Sequence, residues 1–244
     1  MELKVCWMYH NIMDLYGDKG NMMVLTKRCK DRNIDIIIDT CGIDENKDLC
    51  DYDLIFLGGG ADKEQHLVIE DLRARKENIV KAMDENSFFF LVCGGYQLFG
   101  QYYIDGNQEK IEGLKLFDYY SETDENHRCT GNIAVEVNLD GNVFKAVGFE
   151  NHGGQTKNVT TPLGKVIKGY GNTYDSKQEG FYNGKVLGTY MHGPLFPKNP
   201  KIVDFVIYKA LKKRNPDLQL SDLQVLDDTL ENKALLAMLK RLEA

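Results

Sequence analysis

Phe88-Phe89-Phe90-Leu91-Val92-Cys93-Gly94-Gly95-Tyr96-Gln97-Leu98-Phe99-Gly100 is the stretch on which the reading of the whole chain turns. Its unbroken apolar run up to Cys93 reads as a strand buried on both faces, as in a parallel sheet. The two glycines permit a tight turn with positive φ and close backbone approach. The apolar pattern that follows them predicts a helix. Cys93 would then stand on a strand-to-helix elbow, its sulfur at the carboxyl end of the sheet beside a helix N-terminus, where a thiolate is favoured. The layout is that of the serine hydrolase turn with sulfur in place of oxygen. The competing reading is a structural cysteine ahead of a glycine turn, since cysteine is among the most often buried residues.

Upstream, Leu3-Lys4-Val5-Cys6-Trp7-Met8-Tyr9, Ile34-Asp35-Ile36-Ile37-Ile38 and Tyr52-Asp53-Leu54-Ile55-Phe56-Leu57 read as three further strands. Helices are expected over residues 22–32, with Asn21 as N-cap, and over residues 70–86. This alternation predicts a parallel α/β sheet with right-handed crossovers. The third strand ends in Gly58-Gly59-Gly60, a backbone able to point unpaired N–H groups at an anion or oxyanion. Gly17 and Gly20 flank a helix start, but neither a full dinucleotide fingerprint nor a GK[ST] accompanies them, so a phosphate loop is poorly supported.

Downstream, residues 102–173 hold short alternating segments joined by turns such as Asp140-Gly141-Asn142, the pattern of antiparallel or mixed strands. Val186-Leu187-Gly188-Thr189-Tyr190-Met191 is another strand, stopped by His192-Gly193-Pro194. His192 thus repeats the layout of Cys93. If both strands belong to one parallel sheet, both side chains emerge at the edge where open α/β folds bind ligands. Thiol and imidazole there would make a nucleophile–base pair; an exposed loop histidine is the competing reading. His152, in a glycine-bounded loop, is the second choice, and His10 and His66 read as ordinary loop or helix-start residues.

The 244 residues are 43% hydrophobic and 27% charged, with a net charge of −7, enough for a sizeable core and without the basic stripe that nucleic acid would need. No apolar run is long enough to span a bilayer and the N-terminus lacks a signal-peptide core, so a cytoplasmic protein without membrane insertion is expected. Six scattered cysteines without a CxxC suit reduced thiols. No metal site is expected, since His127-Arg128-Cys129 has no second ligand pair at zinc spacing, and no cofactor is expected either. Residues 1–200 are expected to form one domain, with residues 201–244 a helical extension packed on it. Ser221-Asp222 marks a helix start there, and Leu223, Leu226, Leu230, Leu235, Leu236 and Leu239 fall near helical spacing, for packing on the sheet or for docking a partner.

Gly58-Gly59-Gly60, Cys93-Gly94-Gly95-Tyr96-Gln97-Leu98 and Gly188-Thr189-Tyr190-Met191-His192-Gly193-Pro194 resemble, in order and spacing, the triad (class I) glutamine amidotransferases, in their cobyric acid synthase-like branch. Tyr16-Gly17-Asp18-Lys19-Gly20-Asn21, Arg128, Gly148-Phe149-Glu150-Asn151-His152 and the short chain are similar to the glutaminase subunits of lipid II isoglutaminyl synthases. The resemblance implies a class I glutamine amidotransferase-like α/β fold: a mostly parallel central sheet flanked by helices, with additional antiparallel strands. It implies that Cys93 attacks the side-chain amide of L-glutamine to give a thioester and ammonia, with His192 shuttling the proton. The N–H groups of Gly94 and of Gly59 or Gly60 would form the oxyanion hole, Gln97 would help hold the substrate and Arg128 would grip its α-carboxylate. It further implies a heterodimer with a Mur-ligase-like, ATP-dependent synthetase subunit that uses the ammonia to amidate the D-glutamate of lipid II. Many relatives carry a glutamate two residues after the histidine to orient it; here that residue is Pro194. The orienting carboxylate is therefore expected from the partner subunit or from an acidic residue distant in sequence. The alternatives are another acceptor, such as a cobyric acid-type corrinoid, or a binding module on the same fold that has lost catalysis.

Overall fold

The structure is a computed structural model describing residues 1–244. Its central sheet has six strands in the order β13 (Phe181–Tyr182), β14 (Val186–Thr189), β4 (Phe88–Val92), β3 (Leu54–Leu57), β1 (Glu2–Met8) and β2 (Asp35–Cys41), all parallel except β13 at the edge. The phenylalanine-rich run is the strand β4, and every one of its residues is buried. Phe90 is stacked between its cross-strand neighbour Phe56 of β3 (5.3 Å) and Phe196 (4.8 Å), and since successive side chains point to opposite faces, the burial of all five residues means that both faces of the strand are covered.

The helix α1 (Lys19–Asp31) carries the chain from β1 outward to β2, whereas α2 (Asp62–Ala74) and α3 (Lys76–Asp84) carry it from β3 the other way to β4. Right-handed crossovers in opposite directions put their helices on opposite faces. They also open a crevice at the carboxyl ends between β1 and β3, where the strand order reverses. The loops after β1, β3 and β4 all rise at that crevice. α4 (Gly94–Leu98) leaves β4 directly, and α5 (Pro200–Leu211) packs against α1, β1 and β4.

Two antiparallel layers complete the molecule. One is β10 (Gly154–Lys157), β7 (Tyr120–Thr123), β5 (Tyr102–Ile104) and β6 (Lys110–Glu112), in which only β5 and β7 run parallel. The other is β12 (Gln178–Glu179), β11 (Gly164–Lys168), β8 (Cys129–Leu139) and β9 (Asn142–His152). The β8–β9 hairpin pairs eleven residues on each side. It turns through Asp140 and Gly141, both with positive φ (51° and 86°), as a turn matched to strand twist requires. Its far end reaches the central sheet, where Phe149 and His192 exchange backbone hydrogen bonds (2.7 and 3.2 Å). The parallel sheet and the extra antiparallel strands are those expected from the sequence.

Three element boundaries differ from expectation. α1 starts at Lys19, whose N–H is accepted by Asp14 Oδ1 (2.6 Å). Asn21 is consequently inside the first turn, not an N-cap, and its Oδ1 accepts from the Phe196 N–H (3.0 Å). The single helix expected over residues 70–86 starts sooner and is two helices meeting at Arg75, whose side chain binds Asp71 (2.7 Å) and the Gly42 carbonyl (3.2 Å). Its first turn is charged, with Asp62 and Glu64 favourably placed at the N-terminus, and so shows no apolar period there. Ser221 and Asp222 belong to a lone 3-10 turn, and α6 (Thr229–Leu242) begins later. Leu223 is buried in the main core, Leu239 packs on Ala134 and Val147 of the hairpin, and Leu230 and Leu236 face solvent. No helix is long and apolar enough to cross a membrane.

Candidate active site

Cys93 is at the end of β4 with φ 49° and ψ −107°, outside the regions that L-residues occupy without strain. Neighbouring strands hold it there: its N–H donates to the Thr189 carbonyl (2.8 Å) and its carbonyl accepts from Gln97 N–H (2.9 Å). Gly94 must follow, since a Cβ at that position would sit 2.8 Å from the Gly60 carbonyl oxygen. The backbones of Gly60 and Gly94 are thus in close contact, and neither N–H has an acceptor within the chain.

His192 arrives from β14, the strand paired in parallel with β4, and the sequence expectation that both residues emerge at one edge is met. Its imidazole is buried. Nδ1 lies 3.3 Å from Asp18 Oδ1, in the loop between β1 and α1. The second oxygen, Oδ2, accepts from Gly59 N–H (2.7 Å). Burial on its own would lower the pKa of the imidazole, but a thiolate at Cys93 and then the Asp18 carboxylate outweigh it and raise the value to about 10. Gly59 stands at the centre of the group: a Cβ there would lie 2.7 Å from His192 Cε1, 3.2 Å from Asp18 Oδ2 and 3.4 Å from Cys93 Cβ.

Two expectations change accordingly. The Gly59 N–H is bonded to Asp18, which leaves Gly60 and Gly94 as the free donors beside Cys93. The carboxylate facing the histidine belongs to this chain, so a partner subunit is not needed to supply it; of the two sources expected, the distant acidic residue is the one present. Asp18 lies within Tyr16-Gly17-Asp18-Lys19-Gly20-Asn21, at the end of the loop that leads from β1 into α1. Its position after a parallel strand next to the switch point was the signal that could have found it.

A cleft of about 410 Å³ opens over Cys93, walled by Gly60, Gln97, Arg128, Asn151 and His152 among others. Arg128 is exposed at its rim, with Nε donating to Asn151 Oδ1 (2.8 Å) and the terminal nitrogens free of hydrogen-bond partners in the chain. Gln97 is buried in the wall: its Nε2 donates to Tyr190 Oη (3.0 Å) and its Oε1 accepts from Gln65 Nε2 (3.0 Å). His152 stacks on Tyr190 with ring centroids 3.7 Å apart, and its Nδ1 donates to the Gly154 carbonyl (2.7 Å), so its ring is fixed in the wall of the cleft. Beneath this wall Glu179 accepts from Thr189 Oγ1 (2.6 Å) and Tyr190 N–H (2.8 Å), and burial pushes its carboxyl up to about 7. Tyr16 and Asn151 are cleft residues that the sequence reading quoted only within motifs and gave no role, and Gln65 is one that it did not name. His66 hydrogen-bonds Asp105 (3.0 Å) and, with Glu109, forms the chain's one grouping of possible metal ligands. Asp105 there also accepts two backbone N–H groups of its own turn (2.8 and 2.9 Å).

A nucleophile on a strained elbow, an imidazole held by a carboxylate and two free N–H groups are the parts needed for acyl transfer through a thioester. Residues 4–200 match the CobB/CobQ-like glutamine amidotransferase domain. The chain is 38% identical to the GatD subunit of lipid II isoglutaminyl synthase (glutamine-hydrolyzing) of Staphylococcus aureus over 213 residues, which cover 87% of this chain and 86% of that one. It is 34% identical to the GatD subunit of Streptococcus pneumoniae over 223 residues, 90% and 85% of the two chains. In fold it is similar to the glutaminase domain of Trypanosoma brucei CTPS solved with bound acivicin, with a TM-score of 0.52, 11% identity and coverage of 92% and 96%.

Proposed function

The chain belongs to the CobB/CobQ-like glutamine amidotransferase family, and from that premise we propose that it is the glutaminase subunit of a lipid II isoglutaminyl synthase. It hydrolyses L-glutamine in the cytoplasm and passes the ammonia to a Mur-ligase-like, ATP-dependent subunit that amidates the D-glutamate of lipid II. The observation that carries the hydrolytic half is the line Asp18–His192–Cys93 beside the unpaired Gly60 and Gly94 N–H groups. The acceptor half is supported by the two GatD subunits, each similar over most of its length.

The reaction starts from Cys93 as its thiolate beside a His192 imidazolium, the charged form that the raised imidazole pKa holds. Arg128 holds the α-carboxylate of glutamine at the rim, and the side chain runs down the Gln97 wall to the sulfur. The thiolate attacks Cδ, and the oxyanion that forms is met by Gly60 and Gly94 N–H, donors that need no reorganisation. His192 gives its proton to the departing nitrogen, which leaves as ammonia. The imidazole, now neutral, removes a proton from water, hydroxide attacks the thioester, and glutamate departs with the thiolate restored. Asp18 keeps the Nδ1 proton in place throughout, so that Nε2 alone exchanges protons with the reactants.

Glutamate release from L-glutamine, measured for the wild type and for Cys93→Ala with and without the Mur-ligase-like subunit, tests this. Thiol-dependent release is expected, and transfer of the amide nitrogen into lipid II when the second subunit and ATP are present. Equal release by both proteins under both conditions would remove the hydrolytic reading; release without transfer would remove the acceptor.

A further inference from the structure

We infer that Tyr16 and Asn151 are positioning residues, a clasp through which the arginine that holds the substrate α-carboxylate steadies the histidine at the other end of the cleft. The inference rests on the glutaminase reading of the site and adds a coupling between its two ends.

The clasp is a chain of contacts. Arg128 Nε donates to Asn151 Oδ1 (2.8 Å), and Asn151 Nδ2 donates to Tyr16 Oη (2.6 Å). The Tyr16 ring then meets the His192 imidazole edge-on, with centroids 5.2 Å apart and planes at 83°, and leans on Phe149 at 6.4 Å. Tyr16 is 40% exposed and adopts φ 57°, left-handed backbone that a tyrosine rarely takes, so the fold presents this ring over the imidazole although packing does not demand it. Two residues on, the same loop supplies Asp18, while Leu15 N–H is tied to the Gly59 carbonyl (3.0 Å). One short loop therefore carries both the carboxylate behind His192 and the ring in front of it. The only side-chain hydrogen bond from that ring to the antiparallel hairpin is the one from Asn151.

Arg128 without substrate is an exposed side chain held by hydrogen bonding through Nε alone, so that its hold on Asn151 is easily loosened. A carboxylate gripped by its terminal nitrogens fixes the guanidinium plane, and with it Nε, Asn151 and the Tyr16 hydroxyl. Substrates that carry the carboxylate would thus order the lid over His192, and small reagents without it would not.

Two thiol reagents separate the cases: 6-diazo-5-oxo-L-norleucine, which has the glutamine α-carboxylate, and iodoacetamide, which lacks it. Cys93 labelling would be followed by intact-protein mass in the wild type, Tyr16→Phe, Asn151→Ala and the double variant. Each single change is expected to lower the limiting labelling rate by the norleucine reagent about tenfold, to leave its half-saturating concentration within threefold, and to leave iodoacetamide labelling within twofold. The double variant should be no slower than the slower single one, since both break one link. Limiting rates within twofold of the wild type, or equal losses with both reagents, would overturn the clasp. A wild type that the norleucine reagent does not label at Cys93 would overturn the glutaminase reading and the clasp with it.

Discussion

Replacing Asp18 with asparagine is the sharpest perturbation of the site, because it changes one charge and almost no volume. Asp18 makes two contacts, Oδ1 with His192 Nδ1 at 3.3 Å and Oδ2 with the Gly59 N–H at 2.7 Å. The buried Gly59 N–H needs an acceptor, so the introduced amide must turn its oxygen that way and its NH₂ toward His192. An amide donating to Nδ1 drives the neutral imidazole to carry its proton on Nε2, the atom that has to receive one. The same change in a serine protease triad lowers kcat by about 10⁴. The Asp18 contact is longer than an ideal charge-assisted bond, so a loss of about 10³ in kcat for Asp18→Asn is expected, roughly 4 kcal/mol of barrier, with KM within threefold. The imidazolium also loses one of the two groups that hold its pKa near 10, so the pH at which His192 gives up its proton should fall. Steady-state glutamate release and the pH dependence of Cys93 alkylation measure the two effects. Activity within threefold of the wild type and an unshifted alkylation profile, in the complete two-subunit enzyme, would refute the reasoning and return the orienting role to the partner.

Gly59→Ala would put a Cβ 2.7 Å from His192 Cε1, closer than packing allows, and the imidazole must move; kcat should fall about a hundredfold with little change in thermal unfolding, compared by kinetics and calorimetry on the same preparation. Glu179→Gln should flatten the pH dependence of stability. The native carboxyl is raised from near 4.5 to about 7, so the folded state holds its proton over a window where the unfolded state does not, and stability declines as pH rises from about 4.5 to 7. That loss is at most about 3 kcal/mol and should vanish in the variant, whose amide oxygen can keep the Thr189 and Tyr190 bonds; urea unfolding at pH 5 and pH 7.5 checks it, and identical slopes in both proteins would refute the assignment.

The parts of the site that were legible in the sequence are those encoded by adjacent residues. An apolar run ended by Cys93-Gly94-Gly95, and another ended by His192-Gly193-Pro194, carry their own strand and their own stop, and the parallel pairing of β4 with β14 follows from the buried character of both. Asp18 was missed because its partner is chosen by strand order and not by spacing. β1 lies beside β3 in the sheet, so the loop after β1 meets Gly59, and no local pattern around His192 announces it. Gln97 and His152 were marked in the sequence, but their partners in the wall, Gln65 and Tyr190, were hidden for a related reason: the wall joins α4, α2 and the strands on either side of the cleft, and each of the two alone looks like an ordinary polar or aromatic residue. At the C-terminus the leucine period misled, because Leu223 belongs to the core and Leu239 to a separate contact on the hairpin, with a non-helical segment between them.

The contact between Asp18 and His192 spans 174 positions of the chain. During synthesis at about 5–20 residues per second, the carboxylate leaves the ribosome roughly 9–35 s before the imidazole it will hold. Cys93 emerges between them, with a strand elbow but no base. A nascent or truncated chain lacking β14 consequently has the Cys93 elbow without the imidazole beside it. The proposed hydrolysis therefore requires that β14, the last parallel strand in the chain, be laid beside β4.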